Sequence, residues 1–203
     1  MKKQSGVRWE WVVATLFVVT AASAGYADEK PWSRAWRLEA YPTIQFLGSD
    51  EVPFLDGTDI VKVEDTPFFG GGMGFNLNDH FNLNGELTGG RTDLVGHPAG
   101  LPEVHRREGA TLWFGDINLD YNILKSRFTP LVTGGAGFAK WRNHEEGRGE
   151  VHWAYNLGAG ARWDITNNLA LRVTYRATWT KLENADEAFR FGGVVASLIY
   201  MFE

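Results

Sequence analysis

Side chains able to do covalent or acid–base chemistry are few in this chain. Past residue 27 it offers four serines, Ser33, Ser49, Ser126 and Ser197, and five histidines, His80, His97, His105, His144 and His152. A hydrolase needs one such hydroxyl beside a base, with a third group to orient the base. The placement speaks against it. Ser33 and Ser126 fall beside short turns, Ser197 lies inside an alternating run, and only Ser49 comes near the long segments that carry most histidines. With no cysteine in 203 residues, thiolate zinc sites, cysteine nucleophiles and disulfides are all excluded. His97, His105, His144 and His152, with Glu145, Glu146 and Glu150 nearby, match no tight metal-ligand spacing. Asp50, Glu51, Asp56, Asp59, Glu64 and Asp65 are oxygen donors of the kind Ca²⁺ or Mg²⁺ takes, yet a solvated acidic loop is the simpler explanation. Gly70-Gly71-Gly72 and Gly134-Gly135 are not phosphate loops, because no helix follows them. No catalytic, cofactor-binding or metal-ligating residue is assigned, and no enzymatic activity or cofactor is expected.

A second set of charges has a different kind of chemistry. Arg37, Glu39, Glu86, Asp116, Asp120, Arg162, Arg172 and Arg176 each sit at alternate positions within otherwise apolar runs. Four are basic and four acidic, the balance that ion pairing requires if they are buried.

The elements that carry them have period two. Trp36, Leu38, Ala40, Pro42, Ile44 and Phe46 alternate with Arg37, Glu39, Tyr41, Thr43 and Gln45, which is one apolar and one polar face of a strand. Pro42 cannot donate to a ladder, so it should sit at a bulge or an unpaired position. Seven further apolar faces follow: Phe69 to Leu77, Phe81 to Leu87, Trp113 to Tyr121, Pro130 to Phe138, Val151 to Trp163, Leu169 to Trp179, and Gly192 to Phe202. Eight strands are expected, and no amphipathic helix. Long connections at 48–66, 91–109, 142–150 and 182–188 alternate with short turns at 78–80, 122–127 and 164–168. Segregation of short and long connections to opposite rims is the pattern of an up-and-down barrel in a bacterial outer membrane.

The chain opens differently. Lys2, Lys3 and Arg8 precede an apolar run from Trp11 to Ala22 and small residues up to Ala27, the order of a cleaved secretory signal peptide. Residues 1–27 are therefore expected to be the signal and 28–203 the barrel domain. Three basic residues and one acidic leave with the signal, so a net charge of −5 becomes −7. Such a chain lacks the basic face a nucleic-acid partner needs.

Period two does not say which face meets lipid, since a soluble barrel would turn its apolar face inward. The aromatics decide it. Trp36, Phe75, Phe81, Tyr121, Trp163, Tyr200 and Phe202 mark the short-turn end of the apolar face; Phe46, Phe69, Trp113, Phe138, Trp153 and Trp179 mark the long-loop end. Two belts with small or aliphatic residues between them match the two interfaces of a bilayer. The alternate charges then belong to the lumen. Glu86, Asp116 and Arg176 share mid-barrel height, and Arg37, Glu39, Asp120, Arg162 and Arg172 lie nearer the turns. Arg176 should bridge Glu86 or Asp116 across an interior just wide enough for side chains to fill.

Val194, Ala196, Leu198, Tyr200 and Phe202, followed by Glu203, resemble the C-terminal signature by which outer-membrane barrels meet their assembly machinery. With these residues the chain resembles the small eight-stranded barrels of the OmpA-barrel and OmpX class. Expected from that resemblance are an all-β, eight-stranded antiparallel transmembrane barrel and residence in the outer membrane among its lipid and lipopolysaccharide. The C-terminal strand should engage the assembly machinery, and the outer loops are free to meet an extracellular ligand. The role expected is structural or surface-interactive. A narrow solute channel is the alternative, and lipid A modification, an activity of some eight-stranded barrels, ranks third because its His-x-Ser-Asn arrangement is absent.

Overall fold

The computed structural model describes residues 32–49, 52–53, 59–63, 66–98, 106–143, 149–180 and 189–202. The expected signal segment, 1–27, lies outside them. Alternating residues become ten strands: β1 (Leu38–Ser49), β2 (Val52–Pro53), β3 (Asp59–Val63), β4 (Thr66–Asn76), β5 (Phe81–Pro98), β6 (Arg106–Asn122), β7 (Phe128–Asn143), β8 (Gly149–Asp164), β9 (Leu169–Thr180) and β10 (Phe189–Met201). Eight of them, β1 and β4 to β10, pair antiparallel with their chain neighbours, and β1 with β10 closes the ring. Each barrel strand is bonded on both sides, so the barrel has no free edge.

The faces fall as the alternation requires. Trp36, Met73, Ile117, Trp153 and Leu157 project from the wall, whereas Glu39, Glu86, Asp120, Arg162 and Arg172 are buried. In a membrane the outward apolar face is the solvated one, with lipid as solvent. Pro42 pairs with Gly71 on the β4 side, while the β1–β10 register passes from Ala40↔Tyr200 to Thr43↔Ser197 without it. That is the unpaired position its missing N–H calls for.

Three connections differ from expectation. The segment 48–66, expected as loop, contains β2 and β3, and β3 adds to the top of β5 from Asp59↔Pro98 to Val63↔Leu94. The segment 91–109 is mostly hairpin, since β5 and β6 stay paired up to Gly96↔Arg106. Between 142 and 150 the strands likewise run on to Asn143 and resume at Gly149. Above the bilayer, water faces both sides of a hairpin. The in–out contrast that reveals a strand in lipid is therefore missing from these sequences.

At the other rim, β1 starts at Leu38. Trp36 takes a left-handed φ of 64°, a conformation an aromatic residue adopts only at a cost. Its N–H donates to the Asn76 carbonyl at 2.7 Å, and its ring packs on Phe75, centroids 5.9 Å apart.

Candidate functional site

The interior is where inward parity concentrates polar side chains, and it is built in layers. The lowest is a cap. The segment before β1 tucks Arg34 into the turn-end mouth, where it is fully buried. Its Nε donates to Asp164 Oδ2 at 2.9 Å, Nη1 to the Asp79 carbonyl at 3.0 Å, and Nη2 to the Ser126 carbonyl. One side chain thus ties together all three short turns. Asp79 holds the segment in return: its Oδ1 accepts from Ser33 Oγ at 2.7 Å and from the Arg34 backbone N–H at 2.9 Å. Partial burial pushes the Asp79 carboxyl up, but these hydrogen bonds, a further one from the Ala35 N–H and the charge of Lys125 outweigh it and hold the group below its usual range.

Directly above, Arg162 donates from Nη2 to Glu39 Oε1 at 2.6 Å and from Nε to Asp164 Oδ1 at 3.0 Å. Asn76 and Asn82 satisfy the rest of Glu39 at 2.7 and 3.1 Å. At mid-height Arg172 reaches Asp120 at 2.6 Å and Glu86 at 3.4 Å, and Arg176 reaches Glu86 at 2.9 Å with Asp116 at 3.8 Å. Glu86 and Asp116 stand on β5 and β6 and Arg176 on β9, so the expected bridge crosses the lumen. Tyr41 lies under Arg172, 4.6 Å from ring centre to guanidinium, and its hydroxyl donates to Asn84 at 3.1 Å. The neighbouring strand β4 leaves room for that ring because Gly72, paired with Tyr41, has no side chain: a Cβ there would stand 2.6 Å from the ring.

The upper lumen is another material. Leu47, Phe68, Leu112, Phe114, Ala139, Ala154 and Phe191 all point inward and form one buried apolar cluster, with Trp141 packed against it. Phe114 meets Phe68 and Phe191 edge-on, centroids 6.1 and 5.6 Å apart.

Of the eight charges singled out by alternation, seven are buried in the lumen and six of those pair by geometry alone below 3.5 Å. Asp116 stands slightly farther from its arginine. Arg37 is the exception. It precedes β1, so strand parity does not govern it; half-buried at the rim, it donates to the Asn167 carbonyl at 2.6 Å. Sequence reasoning missed Arg34 and Asp164. Asp164 continues the inward parity of β8 by one step and was legible on that ground, whereas Arg34 lies outside any periodic run.

Among the described residues the remaining candidates do not assemble a catalyst. Ser197 Oγ meets Thr43 Oγ1 at 3.0 Å and Arg172 at 3.5 Å, neither of them a base. His80, in the short turn 78–80, is half-buried, with Nδ1 2.7 Å from the Asn122 carbonyl and its ring stacked on Tyr121. His152 Nε2 lies 3.1 Å from Glu150 Oε2 at the upper mouth. His97, His105 and His144 and the acidic run 50–65 lie outside the residues whose side chains are described. Among the described residues no group of three or more His, Asp or Glu is placed to hold a metal.

A closed, girdled antiparallel barrel with a charge-paired interior defines a small outer-membrane protein. The chain belongs to the outer membrane protein β-barrel domain family, whose model matches residues 13–202. Among curated proteins, outer membrane protein Omp38 of Acinetobacter baumannii is 27% identical over 133 residues, covering 63% of this chain and 36% of that protein. The chain thus spans about a third of the length of the curated relatives it matches. Among solved structures, neisserial surface protein A superposes with a TM-score of 0.60 at 14% identity, over 81% of this chain and 97% of that one. OprG from Pseudomonas aeruginosa follows at 0.58 and 11%, over 86% and 100%. These likenesses establish the eight-stranded fold and the outer-membrane location.

Proposed function

We propose that this protein is a non-enzymatic, non-conducting barrel that anchors its extracellular loops in the outer membrane, for a structural or surface-interaction role. The observation that carries the reading is a lumen filled at every height: the Arg34 cap, two layers of arginine–carboxylate pairs, and an apolar plug beneath the outer mouth. An interior of eight strands has space for side chains but not also for a solute path. Residues 1–27 would be removed on export. The outward-facing, exposed Phe202 immediately after β10 is the feature that suits recognition by the assembly machinery, and the two girdles suit contact with phospholipid and lipopolysaccharide. The test is conductance of the purified protein in planar bilayers. A silent bilayer under applied voltage supports the reading; a steady, ion-selective current overturns it in favour of a narrow channel.

A further inference from the structure

Outside the barrel, one wall differs from the rest. Where β4 to β8 face lipid, an open groove of about 1260 Å³ runs across the strands, floored by Gly71 and Gly85 and flanked by Met73, Leu87, Ile117 and Trp153, with Gly115 beneath the Phe138 ring. The flanking side chains project strongly, with Met73 65%, Ile117 67% and Trp153 75% exposed. The depression exceeds the roughly 300–1,000 Å³ of sites that hold one drug-sized ligand. Phe138 and Trp113, both belonging to the outer aromatic belt, lie at its upper end.

Immediately above that belt on the same wall stands a basic row. Arg91 on β5 is paired with Thr111 on β6, and Thr111 with Arg142 on β7; Lys140, one outward position lower, is paired with Trp113. Arg91, Lys140 and Arg142 are all exposed and share the outward parity of Trp113 and Phe138. Two strand spacings put Arg91 and Arg142 about 10 Å apart, and two residues of rise put Arg91 about 7 Å beyond the girdle level, where lipid headgroups sit. Asp93, next outward on β5, is the one acidic side chain of this row among the described residues. Three cations in a chain whose mature net charge is negative are not a general surface property.

We propose that this wall is a binding site for a phosphorylated, multi-acyl lipid of the outer leaflet, of the lipid A class. Arg91 and Arg142 take separate phosphates, since guanidinium forks fit phosphate oxygens two at a time and the two are too far apart to share one. Lys140 adds a point charge between them and the belt. Acyl chains lie down the groove, where Gly71 on β4 and Gly85 on β5 leave outward positions on adjacent strands without side chains. The proposal rests on the reading that the barrel meets outer-leaflet lipid, and it narrows that contact to one wall.

Gly85 provides a clean way to fill the groove. A Cβ there meets nothing closer than the Asp116 carbonyl oxygen at 3.9 Å, so Gly85→Leu occupies lipid space without disturbing the wall. The experiment uses the delipidated full barrel in zwitterionic detergent, titrated with diphosphoryl lipid A, its monophosphoryl form and phosphatidylcholine, with bound lipid counted by native mass spectrometry. Heat-modifiable gel migration confirms that each variant is folded. Wild type should bind the three lipids in that order. The Arg91→Gln/Lys140→Gln/Arg142→Gln variant should lose at least about tenfold in diphosphoryl lipid A affinity, the scale expected for two charge-assisted contacts, and its preference for the second phosphate. Gly85→Leu should weaken all multi-acyl lipids while keeping the phosphate preference. Equal binding of the three lipids by wild type, or unchanged binding by either variant, overturns the site. Conductance measured on the same proteins keeps this result separate from the closed-lumen reading, which does not depend on these outward residues.

Discussion

The lower and upper halves of the lumen solve one problem with opposite chemistry. Both must fill the inside of an eight-stranded barrel from residues of the same parity. The lower half does it with Arg34, Arg162, Arg172 and Arg176 against Glu39, Asp164, Asp120, Glu86 and Asp116; the upper half does it with Phe68, Leu112, Phe114 and Phe191. A charged filling is specific, because each buried ion needs its own partner at hydrogen-bond distance and becomes a liability without it. An apolar filling asks only for shape and volume. The charged half should therefore set the register and identity of the closed barrel, and the apolar half should be replaceable.

That difference is breakable by substitution. The largest effect belongs to Arg162, which holds two buried carboxylates at 2.6 and 3.0 Å. Arg162→Met keeps much of the volume yet should destabilise the barrel by about 5 kcal/mol, the upper end for breaking a buried pair, as measured by urea unfolding in detergent micelles. Adding Glu39→Gln should recover part of the loss, since one of the stranded charges is then gone. In the upper half, Phe114→Ala opens a cavity against Phe68 and Phe191 and should cost about 3–4 kcal/mol, whereas Phe114→Leu should cost under about 1.5 kcal/mol. A shape-tolerant Phe114 beside a shape-intolerant Arg162 is the sharpened form of the comparison. Equal sensitivity of both sites to near-isosteric change would erase it.

The smallest effect lies in the cap. Because hydrogen bonds hold the Asp79 carboxyl below its ordinary range in the folded protein, its contribution is fully present above the unfolded value near 3.9 and is lost as pH falls through the lowered folded value. Wild type should exceed Asp79→Asn in unfolding free energy by about 1 kcal/mol at neutral pH, and the gap should close below pH 4. The Arg34 amide, which donates to Asp79 at 2.9 Å, should lose protection against exchange, measured relative to the intrinsic rate at each pH, over the same range.

How much of this could be read from the chain follows from where lipid supplies contrast. Inside the bilayer, outward residues must be apolar, so the eight spanning strands, both girdles and the Arg176–Glu86 bridge were legible by counting in twos. Outside it the constraint vanishes. β2 and β3 were hidden in a segment where Ile60-Val61-Lys62-Val63 shows no alternation, and the upper ends of β5 and β6, 91–98 and 106–109, read as loop. Within the lumen, parity told which way Phe114 and Leu112 point but not that their inward neighbours on other strands were apolar too; that required the register. Arg34 was invisible because a residue ahead of the first strand has no period to belong to.

The central claim is a lumen closed to solute from both ends, and the absence of cysteine makes it directly measurable. Ser197 lies within the charged layers, 3.5 Å from Arg172 and with 1% of its surface exposed, so Ser197→Cys places a unique thiol inside the filling. Reconstituted into vesicles and given a bulky, membrane-impermeant maleimide on both sides, folded Ser197→Cys should remain unlabelled while an Asn167→Cys control at the exposed turn reacts to completion, and Ser197→Cys should react only after unfolding. Labelling of the folded Ser197→Cys barrel at a rate close to that of the control would contradict a filled lumen.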